Sequence, residues 1–384
     1  MLLEKIEGKR AKIAVIGLGY VGLPLAVESA KAGYKVIGLD IEENRISMIN
    51  KGINYIKDVA NEDLVNVVKE GYLRATIDYS VLENIDCVII CVPTPIDKYK
   101  QPNIIHIKNA TKEIAEYLHK DMLVILESTT YPGTTEELLL PTLESTGLKC
   151  GEDFYLAYSP ERIDPGNKEY SIKNTTKVVG GITIQCTEMA TALYENIFDC
   201  EVYKVSSPKV GEMGKILENT YRNVNIALAN EMAIICHMLG VSVWEVIDAA
   251  KTKPYGFQAF YPGPGVGGHC IPIDPHYLMW KVKEYNYYTK LIELADEINS
   301  SMPNFILDRV IKLLNKENKS LNGSKILVLG VAYKQDIDDI RESPALKVMD
   351  LLEKEGASVE YHDPFVPELQ WREKVYKSIE LTTD

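Results

Sequence analysis

The sequence lacks three features, each of which would indicate a particular class of protein. No apolar run approaches the roughly 18 residues that span a bilayer, and residues 1–10 show no apolar stretch typical of a secretory signal. The seven cysteines include no C-x-x-C pair, so neither a disulfide framework nor a metal site is predicted. Acidic side chains outnumber basic ones by 55 to 42, which gives no general attraction for nucleic acids or anionic membranes. We therefore expect a cytoplasmic, multidomain enzyme.

The first 200 or so residues alternate short β-branched runs with amphipathic helical segments. Such alternation predicts βαβ units, and the near-continuous apolar character of the runs predicts parallel strands buried on both faces. The predicted strands are 12–16, 35–39, 86–92, 122–127 and 154–158, and the predicted helices include 22–32 and 105–119. The expected fold class is α/β, with an N-terminal Rossmann-like, doubly wound parallel sheet.

After residue 208 the pattern becomes helical. Residues 209–239 are predicted to form one long helix that stops at Gly240, and a helix of that length often bridges domains or builds a dimer interface. Further helices are predicted at 242–252, 275–285 and 289–316. A strand at 325–333, a helix at 344–355 and a strand at 358–363 predict the start of a second Rossmann-like unit, which two strands leave incomplete. The predicted domains are 1–205, 206–316 and 317–384.

Gly17, Gly19 and Gly22 form a G-x-G-x-x-G pattern directly after the predicted strand 12–16. The first glycine allows a tight turn, the second lets a pyrophosphate approach the backbone, and the third lets helix and strand pack closely. Asp40 ends the next strand, 23 residues after Gly17, where an acid can hold a ribose 2′-hydroxyl. Two like charges near 4 Å cost about 4 kcal/mol at an effective dielectric of about 20, so Asp40 favours NAD over NADP. A glycine turn in some other α/β protein is the alternative.

Two more predicted strands end in proline-containing turns. Residues 91–95 (CVPTP) and 127–133 (ESTTYPG) both follow a strand at the carboxyl edge of the sheet, where open parallel sheets bind ligands. Thr94 and Thr129 could offer hydroxyl groups to a cofactor. Ordinary turn chemistry explains the same residues, so both interpretations stay open.

The glycine-rich segment 263–275 (GPGVGGHCIPIDP) contains Cys270 just before a helix that is predicted to begin at Pro275. Glycines allow a backbone to approach a ligand closely, and a thiol near a helix N-terminus can act as a nucleophile. The alternative is that Cys270 is a small buried hydrophobic residue and that Asp274 is only an N-cap.

The long predicted helix carries a polar stripe. Lys215 and Asn219 are spaced i,i+4, and Arg222 and Asn223 follow one turn later on the same face. A lysine–asparagine pair that lines a cleft can polarise a hydroxyl or carbonyl oxygen. A solvated helix face is the alternative. Residues 159–166 (SPERIDPG) are another candidate for a cleft, because they carry an acid and a base between turn residues.

Together these segments resemble the UDP-glucose/GDP-mannose dehydrogenase family. The resemblance rests, in the family's order, on 17–26 (GLGYVGLPLA), 91–95, 128–134, 159–166, 215–219, 263–275 and 332–345 (AYKQDIDDIRESPA). It is greatest to the branch acting on UDP-N-acetylhexosamines, with UDP-N-acetylglucosamine favoured as the substrate over UDP-N-acetylmannosamine. It implies NAD as the cofactor, an N-terminal NAD-binding domain, a central dimerisation region, a C-terminal UDP-binding domain and a homodimer or higher homo-oligomer.

The resemblance also implies a four-electron oxidation of the sugar C6 alcohol to a carboxylate with two NAD⁺. After the first hydride leaves, Cys270 would add to the aldehyde, and loss of a second hydride would give a thioester that water hydrolyses. Lys215 and Asn219 would stabilise the oxyanions. Asp274 and Thr129 would hold or activate water, and Glu161 would serve acid–base steps.

Binding residues are implied in the same way, by their match to the family's motifs. The implied substrate contacts are Glu161, Arg162, Ile163, Lys215, Asn219, Arg222, Gly267 and Lys334. The implied cofactor contacts are Gly17, Gly19, Tyr20, Val21, Gly22, Asp40, Arg45, Thr94, Thr129 and Arg341.

Some positions depart from the family's pattern. Pro165 stands where the UDP-glucose branch has a second glutamate, which argues against glucose, and lysines stand at 251 and 253 near the place of an arginine. The C-terminal unit is also expected to be only partial. Two other hypotheses stay open. One is a two-electron 3-hydroxyacid dehydrogenase, against which the cysteine in the glycine-rich segment argues, and the other is a protein that binds NAD or nucleotide sugars without turnover.

Overall fold

A computed structural model describes residues 1–163, 167 and 169–381 of the chain. The chain divides into two compact units, Met1–Leu217 and Glu218–Asp384. Three positions of the segment 159–166, among them Pro165, lie outside the described residues.

The first unit contains an eight-stranded sheet with a hydrophobic core on each face. Its strands are β1 (Lys12–Ile16), β2 (Lys35–Leu39), β3 (Leu73–Thr76), β4 (Cys87–Ile90), β5 (Leu123–Leu126), β6 (Tyr155–Tyr158), β7 (Lys177–Gly181) and β8 (Val202–Lys204). Its helices are α1 (Leu2–Glu7), α2 (Gly22–Lys31), α3 (Glu43–Asn50), α4 (Asn61–Lys69), α5 (Ile105–Glu116), α6 (Leu140–Glu144), α7 (Ile184–Ile197) and the first part of α8 (Pro208–Leu239). The strand order is β3-β2-β1-β4-β5-β6-β7-β8, with β6 and β7 antiparallel and the other neighbours parallel. The predicted α/β class with a doubly wound parallel sheet is confirmed.

The central strands are apolar throughout because both faces of the sheet are covered. Along β1, Ile13 and Val15 belong to one hydrophobic core, whereas Ala14 and Ile16 belong to the core on the opposite face. All four residues of β4 and of β5 are buried in the same way. Alternate side chains of a strand point to opposite faces, so a two-sided core needs an apolar residue at every position.

Three strands of the first unit, β3, β7 and β8, were not predicted. Each is short and contains a charged residue, which is Arg74 within β3, Lys177 at the start of β7 and Lys204 at the end of β8. The strands β3 and β8 lie at the two edges of the sheet. An edge strand is only partly covered, so its sequence does not have to be apolar at every position.

The helix α8 is 32 residues long, and the boundary between the two units falls within it. It ends at Leu239, where Gly240 with φ of 71° provides the predicted stop. Near its beginning, the buried carboxylate of Glu212 accepts hydrogen bonds from the Gly133 N–H and from the N–H and hydroxyl of Thr135, at 2.9 and 2.7 Å for the latter two. These bonds hold the beginning of α8 to the segment that follows β5.

The second unit contains the rest of α8 and a small parallel βαβ arrangement. Its other helices are α9 (Val243–Ala250), α10 (Asp274–Lys281), α11 (Leu291–Lys316) and α12 (Pro344–Lys354). Its strands are β9 (Lys325–Leu329), β10 (Ser358–His362), β11 (Glu368–Trp371) and β12 (Lys374–Lys377). The strands β9 and β10 pair in parallel as predicted, and β11 and β12 form an antiparallel hairpin that was not predicted. The strand β9 ends at Leu329 rather than at residue 333, because Gly330 adopts a φ of 85° that extended backbone cannot have.

Two helices, α8 and α11, have the length of a membrane span. Both carry many charged and amide side chains, such as those of Asp296 and Glu297 in α11. Over the part of the chain that the structure describes, no helix is both long and apolar enough to cross a bilayer.

Two alanine substitutions in the glycine turn between β1 and α2 should differ in their effect on the free energy of unfolding. A Cβ atom at Gly22 would lie 1.8 Å from the Gly17 carbonyl oxygen, whereas a Cβ atom at Gly19 would have no atom within 4 Å. We expect Gly22→Ala to lower the free energy of unfolding by about 1–3 kcal/mol or more, as overpacking does, and Gly19→Ala to leave it within about 1 kcal/mol. Denaturant titration monitored by circular dichroism measures both.

The same pair of variants tests the predicted role of the turn in cofactor binding. We expect Gly19→Ala to weaken NAD binding at least tenfold in a calorimetric titration, because its methyl group occupies the space that the pyrophosphate needs. A Gly19→Ala variant that binds NAD as tightly as the unsubstituted protein would show that the pyrophosphate does not approach this glycine.

Candidate active site

The carboxylate of Asp40, at the end of β2, lies against the glycine turn. One of its oxygens accepts a hydrogen bond from the Leu18 N–H at 2.8 Å, and the other accepts one from the Glu42 N–H at 3.0 Å. The Arg45 guanidinium lies 3.5 Å from the first oxygen. The structure thus brings Asp40 to the glycine turn, as the fingerprint predicts, and places Arg45, which the resemblance implies, beside Asp40. A pyrophosphate at the N-terminus of α2 and a ribose at Asp40 would fit this arrangement of residues.

The turns that follow β1 and β4 touch each other. Gly17 has a φ of 91°, and a Cβ atom there would lie 2.6 Å from the Cys91 carbonyl oxygen. The order of the strands reverses at this point, because β1 lies between β2 and β4. Open α/β sheets bind their ligands at such a switch point. Of the predicted cofactor contacts here, Thr94 is buried and Tyr20 is exposed.

The turn that follows β5 is held by its own hydroxyl groups. The Ser128 hydroxyl donates to the Val92 carbonyl at 2.8 Å, and the hydroxyls of Thr130 and Thr134 lie 2.6 Å apart. Thr129 lies between these residues and is half-buried. Turn chemistry therefore accounts for Ser128 and Thr130, while the role of Thr129 stays a prediction.

A buried ion-pair cluster surrounds Glu161, which follows β6. One oxygen of Glu161 accepts hydrogen bonds from the N–H groups of Arg162 and Ile163 at 2.6 and 2.8 Å. Its other oxygen lies 3.1 Å from the ammonium of Lys177, which also lies 2.8 Å from Glu127. Neither Lys177 nor Glu127 was predicted as a site residue. Lysine at the start of a strand usually lies in solvent, and only the paired carboxylates account for its burial here.

The partners in this cluster set the charge of each acid. Burial acts to raise the pKa of Glu161, but the charge of Lys177 and the two backbone N–H groups outweigh it and lower that pKa below its usual range. Burial raises the pKa of Glu127, which the charge of Lys177 offsets only in part. At neutral pH, Glu161 is therefore a carboxylate that can accept a proton or orient water, and it does not carry a proton to donate.

The polar stripe of α8 is buried and part of its apolar side is exposed. Lys215, Asn219 and Asn223 are 8, 6 and 2% exposed, whereas Leu217 and Leu228 are 59 and 56% exposed. The alternative of a solvated polar face is therefore wrong for these three residues, although Arg222 is exposed. Polar groups are buried where they find partners, and Asn219 and Asn223 both have hydrogen-bond partners in the glycine-rich segment.

Two asparagines of α8 hold the glycine-rich segment within the second unit. The Asn219 amide donates to the Asp274 carboxylate at 2.5 Å, and the Asn223 amide donates to the Ile271 carbonyl at 3.2 Å. Asp274 is 3% exposed and is the first residue of α10, not its N-cap, because its N–H already bonds to the Cys270 carbonyl at 2.9 Å. The predicted start at Pro275 is one residue late for the same reason. The alternative that Cys270 is a small buried hydrophobic residue is wrong, because Cys270 is exposed. The alternative that Asp274 is only an N-cap is wrong, because Ile273 occupies that position.

The glycines of this segment pack against the segment 332–345. A Cβ atom at Gly267 would lie 2.6 Å from the Tyr333 Cβ, and the Gly268 N–H donates to the Arg341 carbonyl at 3.0 Å. Close packing within the chain therefore requires glycine at these positions, and the approach of this backbone to a ligand stays a prediction. Burial and the charge of Arg341 lower the pKa of His269, so this imidazole, next to Cys270 in the chain, is neutral at pH 7.

The predicted site residues divide between the two units. The first unit holds those of the NAD fingerprint together with Thr94, Thr129, Glu161, Arg162, Ile163 and Lys215. The second unit holds Asn219, Arg222, Gly267, Cys270, Asp274, Lys334 and Arg341. Lys334 is half-buried, and the Arg341 guanidinium pairs with Asp339 at 2.7 Å.

Three family models match the chain, one for each domain of the UDP-glucose/GDP-mannose dehydrogenase family. The NAD binding domain matches residues 11–198, the central domain matches 209–301, and the UDP binding domain matches 327–384. These ranges contain every predicted motif.

Curated relatives and a solved structure are similar over most of the chain. UDP-N-acetyl-D-glucosamine 6-dehydrogenase of Pseudomonas aeruginosa is 39% identical, covering 93% of this chain and 84% of that protein. UDP-N-acetyl-D-mannosamine dehydrogenase of Campylobacter jejuni is 41% identical, covering 90 and 84%. The structure of UDP-D-ManNAc dehydrogenase from Pyrococcus horikoshii has a TM-score of 0.87 at 38% identity, covering 92 and 84%.

The matched ranges, the relatives and the geometry of the glycine turn agree. The glycine turn and Asp40 fit NAD, and the segment with the exposed Cys270 lies in the range of the central domain. The chain therefore belongs to the UDP-glucose/GDP-mannose dehydrogenase family and is an NAD-dependent nucleotide-sugar dehydrogenase.

Proposed function

We propose that the protein oxidises the C6 hydroxyl of a UDP-N-acetylhexosamine to the uronic acid in two NAD-dependent steps. The observation that carries the proposal is the exposed Cys270, four residues before Asp274, whose N–H bonds to the Cys270 carbonyl and whose carboxylate is held by Asn219. An exposed cysteine in a chain whose other cysteines are buried or half-buried is placed to react rather than to pack. A cytoplasmic location belongs to the same proposal, because reduced thiols persist in that compartment.

The proposed chemistry keeps the sugar on the enzyme between the two oxidations. NAD, which the glycine turn and Asp40 would hold, would supply the hydride acceptor for each oxidation at C6. The first oxidation releases a proton from the hydroxyl and leaves an aldehyde, to which the Cys270 sulfur adds to form a thiohemiacetal. The second oxidation releases another proton and leaves a thioester, which water cleaves to free the carboxylate and the thiol.

The polar residues have proposed roles that follow from their chemistry. Lys215 and Asn219 stabilise negative charge on the C6 oxygen as it develops. Asp274, whose orientation Asn219 fixes, accepts a proton from the hydrolytic water, and Thr129 helps to hold that water. The ionised Glu161 acts in the same hydrolytic step as a base. Arg162, Ile163, Arg222, Gly267 and Lys334 are the remaining proposed substrate contacts, and Tyr20, Val21, Arg45, Thr94 and Arg341 the remaining cofactor contacts.

Among the sugars, UDP-N-acetylglucosamine is the favoured substrate. The relatives named above act by name on UDP-N-acetylglucosamine and UDP-N-acetylmannosamine, which differ at one sugar carbon. UDP-glucose is the weaker alternative, because Pro165 replaces the glutamate that the UDP-glucose branch has there.

A panel of UDP-N-acetylglucosamine, UDP-N-acetylmannosamine, UDP-N-acetylgalactosamine and UDP-glucose tests the proposal through NADH absorbance. We expect the greatest kcat/KM with UDP-N-acetylglucosamine and two NADH per sugar consumed. One NADH per sugar would instead support a two-electron dehydrogenase.

A serine at Cys270 tests the covalent route. We expect Cys270→Ser to lower the rate of uronate formation at least about 10³-fold, because removal of a catalytic nucleophile has effects of that size or more. Cys236→Ser, at a buried cysteine of α8 with no proposed role, is the control and should retain activity. If both variants match the unsubstituted protein, Cys270 has no part in turnover.

We also propose that a second copy of the chain covers an apolar stripe of α8 within the proposed central region, 206–316. Leu217, Tyr221, Leu228, Ile235 and Leu239 are each at least 40% exposed. Their spacings of 4, 7, 7 and 4 residues put them on one face of a helix. A continuous exposed apolar stripe of this kind is typical of an interface between subunits.

A charge in the middle of this stripe should break the dimer. In analytical ultracentrifugation, we expect the unsubstituted protein to sediment as a dimer and Leu228→Arg to sediment as a monomer, because the substitution buries an unpaired charge at the contact. Leu313→Arg, at an equally exposed leucine of α11, is the control and should stay dimeric. A dimer that survives Leu228→Arg would place the contact elsewhere.

A further inference from the structure

The cluster beneath Glu161 contains a buried cation for which the proposed chemistry has no role so far. Lys177 is 3% exposed, and its ammonium lies between Glu127 at 2.8 Å and Glu161 at 3.1 Å. A buried ammonium is stable only when carboxylates pair with it, and removing one partner of such a set leaves an uncompensated charge. The three charged side chains therefore hold one another in fixed positions within the first unit.

We propose that Lys177 is a positioning residue, which holds the Glu161 carboxylate ionised and correctly oriented for hydrolysis of the thioester. The inference rests on the proposed function, because it assumes that Glu161 acts in the hydrolytic step. Glu127 pairs with the same ammonium, so it reduces the electrostatic stabilisation that Lys177 gives to the Glu161 carboxylate.

The sheet topology explains why the lysine reaches this place. The strand β7 runs antiparallel to β6, with Tyr158 opposite Gly180 and Ala157 opposite Gly181. Continuing that register puts Lys177 opposite residue 161, beyond the carboxyl end of β6. The reversal of one strand therefore brings the first residue of β7 to the edge where the parallel strands end.

The surroundings of Lys177 supply few other charges. The Tyr194 hydroxyl of α7 donates to Glu127 at 2.6 Å, and the Cys91 sulfur lies 3.8 Å from the same carboxylate. The rings of Tyr194 and Phe198 lie 5.1 and 5.7 Å from the ammonium. The half-buried thiol of Cys200 lies nearby, and the guanidinium of Arg162 donates to the Thr176 carbonyl at 2.9 Å. Lys177 therefore pairs with both acids at once.

The consequence for Glu161 follows from ordinary electrostatics. An acid that is largely withdrawn from water tends to be neutral, and a neutral carboxyl group cannot take a proton from water. The ammonium and the two backbone N–H groups reverse this tendency. They also occupy defined positions on both oxygens, so the direction in which Glu161 accepts a further hydrogen bond is limited.

The pH dependence of turnover tests the proposal. If Glu161 acts as a base, kcat rises as pH passes its pKa from below. Lys177→Met removes the charge that lowers this pKa. The acidic limb of the plot of kcat against pH should therefore move to higher pH by about one unit or more. Lys177→Arg keeps a cation and should keep the limb near its original position. In Lys177→Met/Glu127→Gln, the ammonium is also missing, so the limb should again lie at higher pH than in the unsubstituted protein.

A second readout separates positioning from folding. In a single turnover, Lys177→Met should release both NADH but accumulate the acyl group on Cys270, visible as added mass on the intact protein, because only hydrolysis is slowed. A merely structural role would lower thermal stability without moving the limb or trapping the acyl group. The double variant leaves one buried acid instead of two, so it keeps the test available if the single variant does not fold.

A titration that needs no substrate distinguishes failure of this inference from failure of the proposed function. The ¹³C carboxyl shift of Glu161, assigned with Glu161→Gln, reports its protonation directly. An equal Glu161 pKa in Lys177→Met and Lys177→Arg would overturn the role of Lys177. Absence of NADH with every UDP-sugar in the unsubstituted protein would overturn the proposed function alone.

Discussion

Burial of the central strands on both faces is the constraint on which the first unit depends. Because β1, β4 and β5 have a core on each side, no polar side chain can leave the sheet from its middle. Chemistry is therefore confined to the ends of the strands, where the backbone turns and glycine, proline, threonine and acidic residues are tolerated. The glycine turn, the 91–95 turn and the segment 127–133 all follow strands at this edge. Gly17 of the first packs against the Cys91 carbonyl, and Ser128 of the third donates to the Val92 carbonyl, so both contact the 91–95 turn.

The helix α8 supplies polar side chains to each unit from a single element. In the first unit, Glu212 accepts three hydrogen bonds from the segment that follows β5. In the second unit, Asn219 and Asn223 hold the segment that carries Cys270. A helix repeats every 3.6 residues, so polar residues at intervals of three and four share one side of it, and the opposite side is left for apolar contacts. This explains why Leu217 and Leu228 are exposed on a helix whose polar stripe is buried.

Much of the fold could be predicted from the sequence, whereas the burial of polar side chains could not. Strands buried on both faces have an unambiguous apolar pattern, and the glycine turn with Asp40 has a spacing that few other structures need. The strand β7 has no such pattern, because it starts with a lysine whose partners, Glu127 and Glu161, lie 50 and 16 residues away in the chain. The burial of Lys215 and Asn219 was ambiguous for the same reason. A polar stripe has the same sequence whether water or a buried partner faces it, and only the tertiary structure decides.

The two acids proposed for hydrolysis are each oriented by defined hydrogen bonds. Glu161 is paired with an ammonium and two backbone N–H groups, which compensate its negative charge and keep it ionised in a largely buried place. Asp274 accepts a hydrogen bond from the amide of Asn219, which fixes the orientation of its carboxylate. The proposed thioester forms in the second oxidation and must then react with water. Carboxylates that are already oriented can direct that water without any movement of the backbone.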